Sequence, residues 1–417
     1  MTKVIEQVKT QEIEQGKEKR NVPKLRFREF KDKWKEKKLG SLGSFLKGNG
    51  LSKADLSYDG QECILYGELY TKYNEVITNI QSKTNLEDKN FIRSKINDVI
   101  IPSSGETAID IATASCVKKD NVILGGDLNV FRPNDVDGIF VSYQLNNQKR
   151  TEIAKIAQGA SVVHVYNEQL KKVKICITEI QEQKKIADFF SLVDKKIEKQ
   201  SEKVEALKTY QKGIIQKIFK QEIRFKDENG KEYPEWEKKR LGEILRERKL
   251  YCKKGLDYPH VTLSKDGIYD KSERYDRDFL VKNDNKDYKV TLKNDICYNP
   301  ANLKFGVICR NKYGSAIFSP IYVTFEIINC NSIFIEHLVT RSNFINKVRK
   351  YEEGTVYERM SVKPENLLKF NIKIPDLREQ TKIAEFLTTI DEKMDKEEKK
   401  LEELKVWKKG LLQKMFV

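Results

Sequence analysis

Two stretches of the chain carry the same pattern of apolar and polar positions. Heptad spacing in residues 180–220 places seven apolar residues on one helical stripe: Phe190, Val193, Ile197, Val204, Leu207, Ile214 and Ile218. The same spacing in residues 377–417 selects Leu387, Ile390, Met394, Leu401, Leu404, Leu411 and Met415. Polar residues interrupt both stripes at matching places, Gln200 and Gln211 in the first and Glu397 and Lys408 in the second. A stripe this narrow predicts a long helix whose apolar seam meets one partner helix.

The two stretches are copies of one sequence. They align without a gap, and 18 of the 41 aligned positions are identical. The segments that open the two preceding blocks also match, since Arg-Phe and then Trp-x₄-Leu-Gly occur at Arg26 and Trp34 and again at Arg224 and Trp236. A repeat of this length indicates the order domain, helix, domain, helix. Antiparallel pairing of the helices within the chain would cover both seams; pairing between chains is the alternative.

The blocks between the helices predict a mixed α+β fold. Short apolar runs such as residues 98–102 and 294–299 end at Gly, Asn, Asp or Pro, as buried strands do. A helix is expected near residues 142–157 and another near 332–350. The expected divisions are a charged tail at 1–22, a first domain at 23–177, the first repeated helix at 178–221, a second domain at 222–375, and the second repeated helix at 376–417. The whole would have an approximate two-fold.

Two local features of the repeated helices carry further expectations. Thr178 with Gln181, and Asp376 with Glu379, fit a capping box at each helix start. Gly213 and Gly410 occupy the same repeat position, where glycine costs about 1 kcal/mol inside a helix. Close approach of another backbone is one explanation for both glycines, and a simple kink is the other.

Composition points towards a polyanionic partner. The 417 residues carry a formal charge of +16 and a sequence pI near 9.2, which favours nucleic acid first and an anionic membrane second. A lysine- and glutamate-rich solvated surface is the plainer reading. The seven cysteines form no CxxC pair, and the three histidines show no metal-ligand spacing. Reduced thiols, no metal site and a cytoplasmic protein without signal peptide or membrane span are expected.

Sequence motifs for catalysis are missing. The chain has no GxxxxGK[ST] loop, no HExxH and no GxSxG. Tyr298-Asn299-Pro300 resembles the start of an amino-methyltransferase loop, but the second proline and the aromatic residue that complete that loop are absent. We therefore expect no catalytic residues, and we interpret Asn299-Pro300 as a turn that ends a strand.

Polar and aromatic loops offer side chains suited to base edges and phosphates. The candidate DNA-binding residues are Lys72, Tyr73, Asn74, Ser103, Ser104, Thr107, Arg274, Tyr275, Tyr298, Asn299, Asn302, Lys304, Tyr322 and Arg359. For any one of them, a solvated loop residue is the simpler explanation. As a set on a basic chain, they favour reading of DNA.

The repeated helix start, (I/L)-x-E-Q-x-x-I-A-x-F, resembles that of the DNA-specificity subunit of type I restriction–modification systems. Its matching residues are Glu182, Gln183, Ile186, Ala187 and Phe189, and then Glu379, Gln380, Ile383, Ala384 and Phe386. The Trp-x₄-Leu-Gly openings, the Pro102–Thr107 loop and the strand at Tyr322-Val323 resemble the same family. The duplicated layout covers nearly the whole chain.

That resemblance implies a non-catalytic subunit that binds double-stranded DNA. Two target-recognition domains would each read one half of an asymmetric site, and the paired helices would fix the spacer between the halves. Two adenine-N6 methyltransferase subunits would dock on the repeated frame, and a motor–nuclease subunit would join them. The chain itself would need no cofactor; S-adenosylmethionine would belong to the methyltransferase, and ATP and Mg²⁺ to the motor.

Two other classes of function stay open on the sequence. A coiled-coil scaffold with nonspecific nucleic-acid affinity would show the same helices and charge. An enzyme with an unfamiliar site would need carboxylates such as Glu106 or Asp127 in its loops. Sequence-dependent binding to a bipartite site separates a DNA reader from both.

Overall fold

The computed structural model describes residues 21–88, 90–159, 161–253, 258–271, 287–354 and 360–417. The predicted residues Arg274, Tyr275 and Arg359 lie outside these ranges. The chain divides into two compact units. Unit 1 comprises Met1–Glu202 with Lys399–Val417, and unit 2 comprises Lys203–Glu398. Both unit boundaries fall inside the long helices, so each helix contributes one part of its length to each unit.

Unit 1 is a mixed α/β domain built on a five-stranded sheet. Its strands are β1 (Lys35–Lys38), β2 (Gly43–Lys47), β3 (Gln61–Ile64), β4 (Val76–Ile77), β5 (Ser82–Thr84), β6 (Val99–Pro102), β7 (Ser104–Gly105), β8 (Ser115–Val117), β9 (Ile123–Leu124), β10 (Leu128–Pro133), β11 (Val163–His164) and β12 (Lys174–Ile177). Its short helices are α1 (Ala108–Ile111), α2 (Gly138–Asn147), α3 (Arg150–Ile156) and α4 (Asn167–Leu170), and the first long helix is α5 (Ile180–Phe219). The main sheet has the order β2-β10-β6-β8-β4. The central strand β6 is buried along its whole length, as its unbroken apolar run predicts.

Unit 2 repeats this plan with fewer strands in its main sheet. Its strands are β13 (Glu237–Arg240), β14 (Leu245–Glu247), β15 (Tyr251–Lys253), β16 (Val261–Ser264), β17 (Gly267–Asp270), β18 (Asp287–Thr291), β19 (Ile296–Tyr298), β20 (Ile308–Arg310), β21 (Ala316–Phe318), β22 (Val323–Ile327) and β23 (Asn371–Ile374). Its helices are α6 (Ser332–Thr340), α7 (Ser342–Val348), α8 (Pro364–Leu368) and the second long helix, α9 (Leu377–Met415). The sheet order β14-β22-β19-β20 matches β2-β10-β6-β8 strand for strand.

An antiparallel strand pair closes each domain onto its long helix. In unit 1 β1 pairs with β12, which leads into α5, and in unit 2 β13 pairs with β23, which leads into α9. The two single helices predicted near 142–157 and 332–350 are each broken in two. Asn147 donates its side-chain amide to the Tyr143 carbonyl at the end of α2, competing with continued helix. Arg341 adopts an extended conformation between α6 and α7 and lies 3.7 Å from the Phe219 ring centroid.

The long helices run antiparallel within each unit. In unit 2 Lys203 pairs with Glu397 at 2.5 Å, while Gln211, eight residues later, bonds Asp391, which lies earlier in α9. In unit 1 the Phe190 ring lies 5.9 Å from Phe416, close to the other end of α9. The predicted antiparallel pairing and the mixed α/β character of both domains are thereby confirmed. All fourteen seam residues are buried or partly buried.

The last turn of each long helix enters a domain core. In unit 1 Phe416 lies 6.1 Å from Trp34 and 5.3 Å from Phe140 between ring centroids. In unit 2 Phe219, the repeat equivalent of Phe416, lies 6.0 Å from Trp236 and 5.2 Å from Phe334. Each domain is therefore completed by a helix end that comes from the other half of the sequence.

Candidate nucleic-acid interface

The repeated Glu-Gln pair anchors the start of α5 in unit 1. The Glu182 carboxylate is fully buried and accepts two hydrogen bonds of 2.7 Å from Arg26 and one of 3.2 Å from Trp34 Nε1. The Gln183 amide donates to the Thr178 carbonyl at 2.6 Å and accepts from the backbone N–H of Asp137 at 3.0 Å. A buried carboxylate requires such partners, so Glu182 ties the segment before β1 to the long helix.

The same set of contacts occurs at the start of α9 in unit 2. Glu379 accepts two hydrogen bonds of 2.9 Å from Arg224 and one of 3.1 Å from Trp236 Nε1. Gln380 donates to the Pro375 carbonyl at 2.9 Å and accepts from the Asn331 backbone N–H at 3.0 Å. We call each Arg–Glu–Trp set a helix lock. The residues that carry the family resemblance are therefore structural.

The locks also correct the expected capping boxes. The backbone N–H of Glu379 does bond the Asp376 side chain at 2.8 Å, but the Glu379 carboxylate is taken by Arg224 and Trp236 rather than turned back to the helix start. In the first copy the Thr178 hydroxyl bonds Glu182, and Gln181 is exposed. Glu379 therefore satisfies a buried tryptophan N–H and an arginine, which would cost more to leave unbonded than the backbone N–H at a solvent-accessible helix start.

Three loops meet where strands β2, β6 and β10 of the main sheet of unit 1 end or begin, and we call this side of the sheet its edge. Register places the end of β6 and the end of β2 beside the start of β10, since Pro102 faces Leu128 and Lys47 faces Asn129. Residues 48–56, 103–107 and 125–127 therefore share this edge. A cleft of about 880 Å³ opens there, and its lining includes Asp55, Glu68, Lys72, Glu106 and Asp127. Carboxylates in such a cleft accept hydrogen bonds from the amino groups of cytosine and adenine.

The predicted residues of unit 1 divide between this cleft and the domain interior. Lys72 lines the cleft, with its ammonium 2.6 Å from the Glu68 carboxylate. Ser103 is buried, its hydroxyl donates to Asp127 at 3.4 Å, and the hydroxyl of the buried Ser104 has no hydrogen-bond partner among the described residues. Thr107 is exposed and caps α1 by accepting from the Asp110 N–H.

Tyr73 and Asn74 lie beside a second, smaller cavity of about 270 Å³. The Tyr73 hydroxyl accepts from the Gln81 backbone N–H at 2.9 Å, and burial raises the Tyr73 pKa to about 12. The Tyr73 hydroxyl thus supports its own loop and the ring is partly buried, whereas Asn74 is exposed. Sequence reasoning missed the 50–56 loop, although Gly48, Asn49 and Gly50 directly after a strand were a signal for it.

The corresponding edge of unit 2 is formed by the loop 299–307 and the turn 319–322. Register places both beside the end of β14, because Tyr298 faces Val323 and Glu247 faces Phe325. Asn299 accepts from the backbone N–H groups of Ala301 and Asn302, which is the predicted turn. Asn302 is partly buried, and Lys304 is exposed.

Two predicted aromatic residues of unit 2 face the core instead. Tyr298 is fully buried, donates its hydroxyl to the Val362 carbonyl at 3.0 Å and stacks on Phe325. Tyr322 is partly buried, with its ring 5.2 Å from Phe318 and its hydroxyl 3.4 Å from that of Thr262. The two rings pack against different apolar clusters of unit 2, and the Tyr298 ring is the one that is fully enclosed. Phe305 and Ile321, in the loop 299–307 and the turn 319–322, are exposed instead, and neither is among the predicted residues.

Other kinds of site find no support in the part of the chain that the structure describes. No group of three or more His, Cys, Asp or Glu residues there could hold a metal ion. All seven cysteines are free thiols. Neither long helix, nor any shorter one in the described ranges, carries an apolar stretch sufficient to cross a bilayer.

Comparison with known families agrees with this duplicated architecture. Residues 31–208 and 233–406 each match the family model of the type I restriction modification DNA specificity domain. The chain belongs to the type I DNA specificity family. The two matches cover both domains and most of both long helices, so the duplication seen in sequence and structure is a duplication of the family domain.

Individual type I specificity subunits are also similar to this chain. The specificity subunit of the type I restriction enzyme MjaVIII of Methanocaldococcus jannaschii is 22% identical over 404 residues, which is 91% of either chain. A putative type I specificity subunit of Mycoplasma pneumoniae is 26% identical over 199 residues, 48% of either chain. The crystal structure of a type I S subunit from M. genitalium matches with a TM-score of 0.60 and 17% identity, covering 95% of this chain and 99% of that one.

Proposed function

We propose that this chain is the non-catalytic subunit that selects the DNA site of a type I restriction–modification system. Each of its two domains would read one half of an asymmetric, bipartite site. The observation that carries the proposal is that the two units share the same arrangement of strands and long helices, which we call the frame, but have different loops. The helix locks and the order of the four shared strands repeat in both units, whereas the loops at the sheet edges differ in sequence and shape. A duplicated frame with different loops suits two different half-sites.

Two adenine-N6 methyltransferase subunits would dock on this frame, and a motor–nuclease subunit would join through them. A frame that occurs twice supports two equivalent docking places. S-adenosylmethionine would be held by the methyltransferases, and the complex would work in the cytoplasm. The basic charge of this chain, +16 in total, would supply salt-dependent attraction to the DNA backbone without sequence information.

The decisive experiment is adenine methylation mapped across a genome by single-molecule sequencing. The candidate methyltransferase is expressed with and without this chain. A split, asymmetric motif that appears only with the chain supports the proposal and gives both half-sites and the spacer. Methylation that is indifferent to the chain contradicts it. A scaffold would instead bind the methyltransferase in a pull-down without any change in the methylated sequence.

A further inference from the structure

Phe305 and Ile321 stand out at the edge of unit 2 because both are large, apolar and exposed. Phe305 is 66% exposed and Ile321 is 61% exposed. They belong to the loop 299–307 and the turn 319–322, which adjoin each other through the register of Tyr298 with Val323. Burying such side chains against a partner would contribute about 25 cal/mol of binding free energy for each Å² of apolar surface removed from water.

The Phe305 ring is held out by an ordered turn. Its neighbour Leu303 is fully buried, and the backbone N–H of Phe305 bonds the Asn302 carbonyl at 3.0 Å. Gly306 then reverses the chain with φ +80°, a conformation that favours glycine. Ile321 is presented in a similar way, because the next residue, Tyr322, turns its ring inward against Phe318. The fold buries the neighbours and leaves these two side chains outside.

Two lysines lie at the same edge as the exposed pair. The Lys304 ammonium lies 5.1 Å from the Phe305 ring centroid. Lys249 follows the end of β14; its side chain is 74% exposed, and its ammonium lies 3.9 Å from the Glu247 carboxylate. An apolar protein surface would offer no counter-charge to these ammonium groups, whereas a DNA duplex offers phosphates beside its base edges. Charge complementarity therefore selects DNA as the occupant.

We propose that Phe305 and Ile321 read thymine in the major groove by contact with its C5 methyl group. That methyl is the apolar feature that the four bases offer in this groove. Lys304 and Lys249 would contact the flanking phosphates. We call Phe305 and Ile321 together the apolar ridge. This inference rests on the proposed function, because it assigns the ridge to the half-site that unit 2 reads.

The test uses the full chain bound to its methyltransferase and a duplex that carries the methylated site. Each thymine of the unit 2 half-site is replaced in turn by deoxyuridine, which lacks only the methyl group. We expect one replacement to weaken binding about fourfold, the effect of burying one methyl-sized group. Phe305→Ala should weaken binding to the thymine duplex by a similar factor or more. In that variant, replacing the thymine by deoxyuridine should cause no further loss of affinity.

Tyr313→Ala is the matched control. Tyr313 is an exposed aromatic residue, 44% exposed, in the loop after β20 at the opposite edge of the same sheet. It should leave the affinity for both duplexes unchanged. Lys304→Gln should weaken binding to specific and unrelated DNA alike and should lower the salt dependence, as expected for a phosphate contact.

Three results would contradict the proposed role of the apolar ridge in reading thymine. Phe305→Ala and Ile321→Ala could leave DNA affinity unchanged, the half-site could contain no thymine, or Phe305→Ala could weaken only methyltransferase association. The last result would assign the ridge to a protein interface. Failure of the proposed function looks different, because the wild-type complex would then bind no bipartite sequence at all.

Discussion

Glu182 and Glu379 show how single residues hold this fold together. Each carboxylate is fully buried and bonded by one arginine and one tryptophan from the segment before the first strand of its domain. The arginines are largely inaccessible too, since the side chain of Arg26 is 10% exposed and that of Arg224 is 22% exposed. Removing one member of a buried ion pair leaves an uncompensated charge, which is more damaging than never having had the pair.

Glu182→Gln should therefore destabilise unit 1 strongly. We expect a loss of about 3 kcal/mol or more in the free energy of unfolding, because the Arg26 charge stays buried without its partner. Glu379→Gln should act in the same way on unit 2. Urea unfolding followed by circular dichroism measures both. Glu198→Gln, at an exposed position of the same helix, should change stability by less than about 0.5 kcal/mol. A similar small change for Glu182→Gln would contradict the lock.

Buried thiols give a second prediction at this scale. Burial raises the pKa of Cys63 to about 11 and that of Cys309 to about 12, and it raises the pKa of Cys297 well above its ordinary value. Alkylation requires the thiolate, so iodoacetamide at pH 8 should modify these three cysteines far more slowly in native than in unfolded protein. Peptide mass spectrometry gives the rates. Equal rates in native protein and in urea would show that these thiols are accessible.

Residue exposure shows what the sequence could not decide about the loops of unit 2. Tyr298 and Tyr322 are predicted base contacts because their aromatic rings border polar loops; Tyr298 is fully buried and Tyr322 is partly buried. Phe305 and Ile321, within seven residues of them, are the ones exposed. Sheet register and the turns at Asn299 and Gly306 determine which side chains near the end of a strand face outward. A one-residue shift in register reverses the outcome.

At the scale of the helices, the polar interruptions of the seam have structural roles. Lys408 lies 2.7 Å from Asp194 and 3.0 Å from Glu75, and the Tyr143 hydroxyl also bonds Asp194. Burial alone would lower the Lys408 pKa, but the two carboxylates raise it above its ordinary value. For the Asp194 carboxyl group burial acts in the opposite direction and raises the pKa, because it disfavours the charged form. Two carboxylates share one ammonium, so the site depends on that single positive charge.

The repeat-equivalent site in unit 2 carries less charge. Gln211 takes the place of Lys408 and bonds Asp391, and His337 takes the place of Tyr143, with Nε2 3.6 Å from Asp391. Polar groups in a seam fix the register of paired helices. The two copies therefore fix the same helix register with different polar groups. The roles of Lys408 and Gln211 become clear only from their partners, Asp194 and Asp391.

Lys408→Gln, which installs the residue found in the other copy, should destabilise unit 1 by about 3 kcal/mol because Asp194 and Glu75 lose their cation. The folded-state pKa of Asp194 already lies above its unfolded value of 3.8, so a proton binds the folded state more tightly. The deficit should therefore shrink as pH falls from 8 to 5. Urea unfolding at both pH values measures it. A deficit that grows on acidification would contradict this assignment.

The two helix glycines correct another expectation. A side chain added at Gly213 or Gly410 would meet nothing within 4 Å. Close backbone approach is therefore not the reason for either glycine among the described residues. Their shared repeat position stands as an observation for which the fold gives no physical explanation.

For the whole molecule, the long helices are proposed to set the spacer between the half-sites. Inserting one heptad into each helix, near residues 202 and 399, keeps the seam in phase and adds about 10 Å at 1.5 Å per residue. The methylated motif should then keep both half-sites and gain about three base pairs of spacer. Single-molecule sequencing of adenine methylation shows the motif. As a control, a heptad inserted in α5 alone should abolish methylation, because the seams no longer match. An unchanged spacer in the double insertion would argue against the helices as a ruler.

The sequence by itself determined the duplicated plan and the two long helices, because these follow from periodicity and repetition that no distant contact has to supply. It favoured antiparallel pairing of the helices within the chain but left pairing between chains open, and the structure decided between the two. Only the tertiary structure decided which residues close the helix locks and which loop side chains face outward. Arg26 and Glu182 are 156 positions apart in the chain, and three separate loops meet at the edge of the main sheet in unit 1. Contacts between such distant segments depend on strand register and turn geometry, which local patterns do not specify.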